Sequence, residues 1–153
     1  PLLEVLGPEP FDDWNAKLAA TKCRGKRSPI KTTLLDQKFV VGVGNIYACE
    51  ALHNAGISPT KLAAKLVTKS GKPTKALEKL VDEVKIVLEK AIAAGGSTLN
   101  DFADVDGNLG YFSHHFTIYG REDQPCLKAG CSGTVERIVQ SNRSTFWCPR
   151  CQK

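Results

Sequence analysis

The sequence predicts a mainly α-helical bundle followed by a small β-hairpin zinc finger. Three observations carry that expectation. Helix-period apolar stripes dominate the first two-thirds of the 153 residues. Aromatic and β-branched runs replace them after a turn-rich stretch near 95–110. Within that tail, Cys126-x4-Cys131-x16-Cys148-x2-Cys151 has the spacing of a tetrahedral metal site.

"PFDDWNAKLAAT" (10–21) reads as the first helix, with Trp14, Leu18 and Ala19 on one side. "SPIKTTLLD" (28–36) reads as the second, with Ser28 as N-cap and Pro29 at the first helical position. "QKFVVGVG" is too glycine-rich to continue it. "NIYACEALHNAG" (45–56) then has helical spacing at positions 48, 51, 52 and 55, with Asn45 as N-cap and Gly56 as the stop. The longest helix is expected over 73–94. There Leu77, Leu80, Val81, Val84, Leu88, Ala91 and Ile92 form one stripe, and "GG" at 95–96 ends it. About four helices result. "YFSHHFTIYG" (111–120), "GTVERIVQ" and "RSTFWC" read as short strands.

Four cysteines in two close pairs, joined by a hairpin that returns the second pair to the first, suit one Zn(II). Gly130, Gly133 and Pro149 supply turn chemistry beside them. Four thiolates leave no open coordination position, so the expected zinc is structural, in a tail too small to have much core of its own. Two disulfides are the alternative. Cys23 and Cys49, isolated in helix-like segments, favour a reducing compartment. His114 and His115 are neighbours in an expected strand and point to opposite faces, so with His53 they read as surface or packing residues.

The net charge is +5, and basic residues concentrate in "KCRGKRSPIKTTLLDQK" (22–38), with six Lys/Arg against one Asp. A polyanionic partner fits that distribution, as does a solvated basic face. No apolar run approaches membrane-spanning length, and no secretory leader is visible. The chain starts "PLLEVLGPEP" and contains no Met, so it is expected to be a piece of a longer protein.

"FVVGVGNIYACEAL" (39–52) invites a phosphate-loop reading. A dinucleotide fingerprint would need Gly at position 47, which is Tyr, and helices flank the loop on both sides. A Gly-Lys-Ser/Thr sequence is also absent. What remains is a basic helix, a glycine loop and a second helix whose first N–H groups can face a DNA phosphate. Alternatively, Gly42 and Gly44 serve only positive φ or close packing. Arg143 lies near the hairpin tip beside Asn142, Ser144 and Thr145, small hydrogen-bonding residues suited to phosphate. Phe146 and Trp147 are placed to pack the hairpin on the bundle.

"LLDQKFVVGVGNIYACEALHNAGISP", "GGSTLNDF", "GYFSHHFTIYGRE" and "RIVQSNRSTFWCPRCQ" together resemble the C-terminal part of bacterial formamidopyrimidine-DNA glycosylases, over residues 6–153. The resemblance implies a helix–two-turn–helix DNA-binding domain over 10–96 and a lesion-loop segment over 97–110. A zinc finger over 111–153 follows, and residues 1–9 are the remnant of an interdomain linker. It implies that Asn45 and Arg143 grip the phosphates flanking a lesion, with Gly44 beside them. Arg27 and its neighbour Lys31 would contact DNA, and Arg143 would also donate a proton in δ-elimination. It implies one structural zinc on Cys126, Cys131, Cys148 and Cys151. "GGSTLNDF" would close over an everted oxidised purine.

The implied whole enzyme is a bacterial, cytoplasmic, monomeric base-excision-repair glycosylase and AP lyase for oxidised purines in double-stranded DNA. An endonuclease VIII-like enzyme for oxidised pyrimidines, or a non-catalytic zinc-ribbon module, are the alternatives. The family's nucleophile is an N-terminal proline followed by Glu, whereas Pro1 is followed by Leu2. Pro1 is therefore read as a boundary, and this chain alone is expected to be inactive. The first cysteine spacing, x4, departs from the family's common x2 and should lengthen the first turn without removing a ligand.

Overall fold

The computed structural model describes residues 7–95 and 116–153. Among them, helices α1 (Ala16–Cys23), α2 (Ile30–Leu35), α3 (Asn45–Ala55) and α4 (Lys75–Gly95) precede a two-stranded antiparallel sheet of β1 (Glu136–Gln140) and β2 (Arg143–Trp147). The expected fold class is therefore realised. Pro1, the 97–110 loop, His114, His115 and the 111–115 part of the expected strand lie outside the described residues. No helix among the described residues is long and apolar enough to cross a membrane.

The first helix starts later than its pattern suggests. Asn15 caps it, its Oδ1 accepting from Leu18 N at 2.8 Å, and residues 10–13 turn instead of coiling. Trp14 is buried just outside the helix, edge-on to Phe39 with ring centroids 5.8 Å apart. Pro29, not Ser28, holds the cap position of α2, because it is tied in an extended bridge to Leu62. Two turns, at 37–39 and 41–42, then connect α2 to α3. Gly42 has φ of +88°, where a side chain is disfavoured, and gives its N–H to Gln37 Oε1 at 2.9 Å. Gly56 closes α3 in the left-handed conformation with φ of +75°, as expected.

Tyr47, Ala48, Ala51 and Leu52 of α3 pack with Leu77, Leu80, Val81 and Val84 of α4 in the main core. Ile92 departs from the expected stripe and is 52% exposed. At about 1.5 Å per residue, the 21 residues of α4 outrun the 11 of α3, so the last turns of α4 find less to cover them. A 3-10 turn at Ala63–Leu66 has no forerunner in the sequence pattern. It buries Ala63 and Leu66 and gives the N–H groups of Ala63 and Ala64 to the carbonyls of Ser28 and Lys26.

The strand expected over 111–120 is not formed in its described part, 116–120. A carboxylate replaces the sheet. Buried Glu50 of α3 accepts from the backbone N–H groups of Thr117 (2.8 Å), Ile118 (2.9 Å) and Tyr119 (2.9 Å), and from the Thr117 hydroxyl (3.0 Å). These donors have no ladder to join.

In the hairpin, Gln140 pairs with Arg143 across a two-residue loop, Ser141–Asn142, with φ of +49° and +64°. Both positive angles match the right-handed strand twist, as in a type I′ turn. A second small core holds Cys49, Ile118, Val135 and Phe146. Phe146 meets Tyr119 edge-on at 4.8 Å and is buried, while Trp147 is only half-buried. Of the pair expected to dock the hairpin, Phe146 joins this buried cluster.

Candidate nucleic-acid interface and metal centre

The four tail cysteines converge: their Sγ atoms all lie within 4.8 Å of one another, with Cys126–Cys151 at 3.8 Å and Cys131–Cys148 at 3.7 Å. Four sulfurs about 2.3 Å from a tetrahedral zinc stand about 3.8 Å apart, so the set fits one structural Zn(II). No disulfide joins any of the six cysteines, and a four-sulfur cluster favours one metal ion over the two-disulfide alternative. The Gly133 N–H reaches Cys131 Sγ at 3.4 Å and pulls that thiol toward its ionised form.

Position 133 must also be small. A Cβ there would stand 2.5 Å from Cys148 Sγ and 2.8 Å from Arg150 Cβ. Gly133→Ala is therefore expected to destabilise the tail by about 1–3 kcal/mol through overpacking and to weaken zinc retention. Thermal unfolding with and without a chelator measures both.

The metal loops rest on the end of α3. Cys148 N donates to Gln152 Oε1 at 2.7 Å, and Gln152 Nε2 donates to Ile57 O at 2.9 Å. Lys153 N reaches Gly56 O at 3.0 Å. Nothing in the sequence pattern singles out Gln152, which is buried at this joint.

The other end of α3 carries the expected phosphate site. Gly44, not Asn45, is the N-cap, with extended φ and ψ of −91° and 177° and no side-chain cap. Asn45 is the first helical residue, so the expectation that it caps the helix is corrected. The physical gain is freedom: the first N–H groups of α3 stay uncapped, and the Asn45 amide is available for other partners. Its Oδ1 accepts from Lys31 Nζ, and its Nδ2 donates to Ser144 O on β2 at 3.0 Å. A second Nδ2 hydrogen remains beyond those contacts.

Asn45 and Lys31 thus meet the hairpin at Ser144, next in the chain to Arg143. Arg143 is exposed and close enough for its charge to weigh on Lys31. Lys31 is fully buried rather than displayed. Burial lowers its pKa first, the nearby Cys49 thiol opposes that, and Arg143 adds to the lowering. Arg27 lies on the loop before α2 and is exposed. The arrangement is a helix N-terminus, an anchored amide and a guanidinium together, a set of donors suited to phosphate oxygens.

His53, expected as a surface or packing residue, is buried. It touches a zinc ligand: Nε2 lies 3.4 Å from Cys126 Sγ, and Nδ1 lies 3.1 Å from Thr117 Oγ1. His53 and Cys126 are 73 positions apart, so no local pattern could announce the contact.

The helical domain and the zinc finger each match known proteins. The family model described as the formamidopyrimidine-DNA glycosylase H2TH domain matches residues 6–103. The model described as the zinc finger found in FPG and IleRS matches residues 123–153. Formamidopyrimidine-DNA glycosylases of Rhodopseudomonas palustris strains BisB18 and BisA53 are 51% and 53% identical over the whole chain. The chain spans about half the length of these relatives, 53% in each case. Among solved structures, MutM in complex with DNA containing carbocyclic 8-oxo-G superimposes with a TM-score of 0.78 at 32% identity, covering 99% of this chain and 52% of that one. Lactococcus lactis Fpg in complex with abasic-site DNA gives 0.79 at 32% identity, covering 99% and 52%.

Proposed function

Because the chain belongs to the family defined by the formamidopyrimidine-DNA glycosylase H2TH domain, we propose that it is the DNA-binding part of a base-excision-repair glycosylase and AP lyase for oxidised purines. The observation that carries this reading is the anchored side chain of Asn45. It is clipped between Lys31 and Ser144 at an uncapped helix start, with Arg143 on the next residue of the hairpin.

In this reading Asn45 and the first N–H groups of α3 hold one backbone phosphate. Arg143 holds another and, by family resemblance, supplies the proton for δ-elimination. Gly44 keeps the approach to the helix start open. Lys31 acts through Asn45, fixing the amide so that Nδ2 meets the Ser144 carbonyl and keeps its second hydrogen for a phosphate oxygen, and Arg27 adds a further cation. Neutralised phosphates release counterions, so binding weakens steeply with salt. The zinc takes no part in the chemistry. It fixes the hairpin, and with it the position of Arg143 relative to Asn45.

The division into a linker remnant at 1–9, a helical domain at 10–96, a lesion loop at 97–110 and a zinc finger at 111–153 belongs to the same proposal. So do a monomeric state and a bacterial cytoplasmic setting. We further propose that these 153 residues bind DNA without excising a base on their own, in keeping with their half-length match to the relatives.

Fluorescence anisotropy with an abasic-site duplex, paired with borohydride trapping, tests both parts. Salt-sensitive binding without a covalent adduct is expected. Failure to bind at low salt would remove the DNA reading, and a trapped adduct would remove the claim of inactivity.

A further inference from the structure

The lengthened first cysteine turn and the end of α3 are joined by contacts that a bare four-cysteine site does not need. Lys128, inside the Cys126-x4-Cys131 turn, donates from Nζ to the His53 backbone carbonyl at 2.9 Å. That carbonyl belongs to the last turn of α3, where a cation is favoured by the helix dipole and by the surplus of carbonyls. The imidazole of the same residue reaches Cys126 Sγ at 3.4 Å. Its other nitrogen meets Thr117 Oγ1, which lies 3.0 Å from Glu50 Oε1. One side chain therefore stands between a metal ligand and the buried carboxylate that latches residues 117–119.

We propose that His53 is a positioning residue for the metal centre, its Nε2–H donating to the Cys126 thiolate and tying zinc retention to the integrity of α3. The assignment of the proton follows from the ligand. A zinc-bound thiolate carries no hydrogen and can only accept, so the N–H must sit on Nε2. Nδ1 then accepts, and the Thr117 hydroxyl, with one proton, turns to it. Glu50 keeps its three backbone donors. A hydrogen bond to a thiolate withdraws electron density from the sulfur and fixes its direction. Partners of this kind, once removed, typically cost about 10–100-fold in metal affinity. Lys128 secures the other side of the clamp. The longer first turn thus has a physical role, because it carries a cation to the helix end.

Two variants of the zinc-loaded chain separate this role from packing. His53→Phe keeps an aromatic ring of similar size and loses the donor. His53→Gln keeps an amide donor. Zinc transfer to a chromophoric chelator is expected to be about 10-fold faster or more for His53→Phe, with His53→Gln recovering much of the difference. On cadmium-substituted protein, an imidazole N–H to cadmium cross-peak is expected in the native chain. Equal zinc-release rates for native chain and His53→Phe, or equal acceleration in both variants, would overturn the assignment. Absence of the cross-peak in a folded, cadmium-loaded native chain would do the same.

Discussion

Cys148→Ser is expected to unfold the tail while leaving the helical bundle standing. The Cys148 side chain is fully buried, and its sulfur is one of four that meet within 4.8 Å. The apolar cluster beneath it is small: Ile118, Val135 and Phe146 with Cys49. Structural zinc contributes on the order of 10–16 kcal/mol of apparent binding free energy at neutral pH, and that energy is folding energy. A cluster of this size cannot replace it.

The bundle has its own core, centred on Leu52, Leu77 and Leu80, so it should keep its helical signal. Metal analysis should give well under one zinc per chain, and amide resonances of 123–153 should collapse to unfolded shifts. DNA affinity should fall on the order of 100-fold, because Arg143 and the Ser144 carbonyl lose their fixed place beside Asn45. One zinc per chain with dispersed resonances would refute this account of the tail.

Glu50→Ala should be the most damaging single change in the bundle. The carboxylate is buried and accepts from three consecutive backbone N–H groups, those of Thr117, Ile118 and Tyr119. Alanine would leave those donors without a partner, at about 1–3 kcal/mol for each buried orphan. Relaxation and water entry recover part of this, so the expected loss is about 4 kcal/mol.

Glu50→Gln should also destabilise, by a smaller amount. One of its two terminal groups is an NH2, which would face donors instead of accepting from them. Urea unfolding followed by helical signal measures both variants. A loss below about 1 kcal/mol for Glu50→Ala would show that the latch contributes little.

These two residues mark where sequence reading succeeds and where it stops. The cysteines announce themselves because a tetrahedral ion imposes its spacing on the chain locally. α3, α4 and the hairpin are legible for a similar reason, since period and turn chemistry act over a few residues. Glu50 gives no sign. It sits in the middle of a helix, and its partners at 117–119 lie 67 to 69 residues away. "FTIY" has strand propensity, but a carboxylate takes its N–H groups, so no strand forms there.

The proposed phosphate site is half legible. Asn45 stands out in the sequence, yet as a cap. Gly44 takes that position, and the amide bridges to a strand 99 residues on. Lys31 looks like one more surface cation in a basic segment, and it is buried against Asn45. Ile92 follows the helical period and is exposed nonetheless, because period says which face a residue occupies and not whether anything covers it.

The central claim is that the start of α3 and the zinc hairpin form a single phosphate-binding surface. The most direct measurement is the dissociation constant for an abasic-site duplex as a function of salt, for the native chain and Arg143→Ala. If Arg143 neutralises one phosphate, the slope of log affinity against log salt should shrink by about 0.9, with weaker binding at every salt concentration. Arg143→Ala binding with the native slope and affinity would contradict the account.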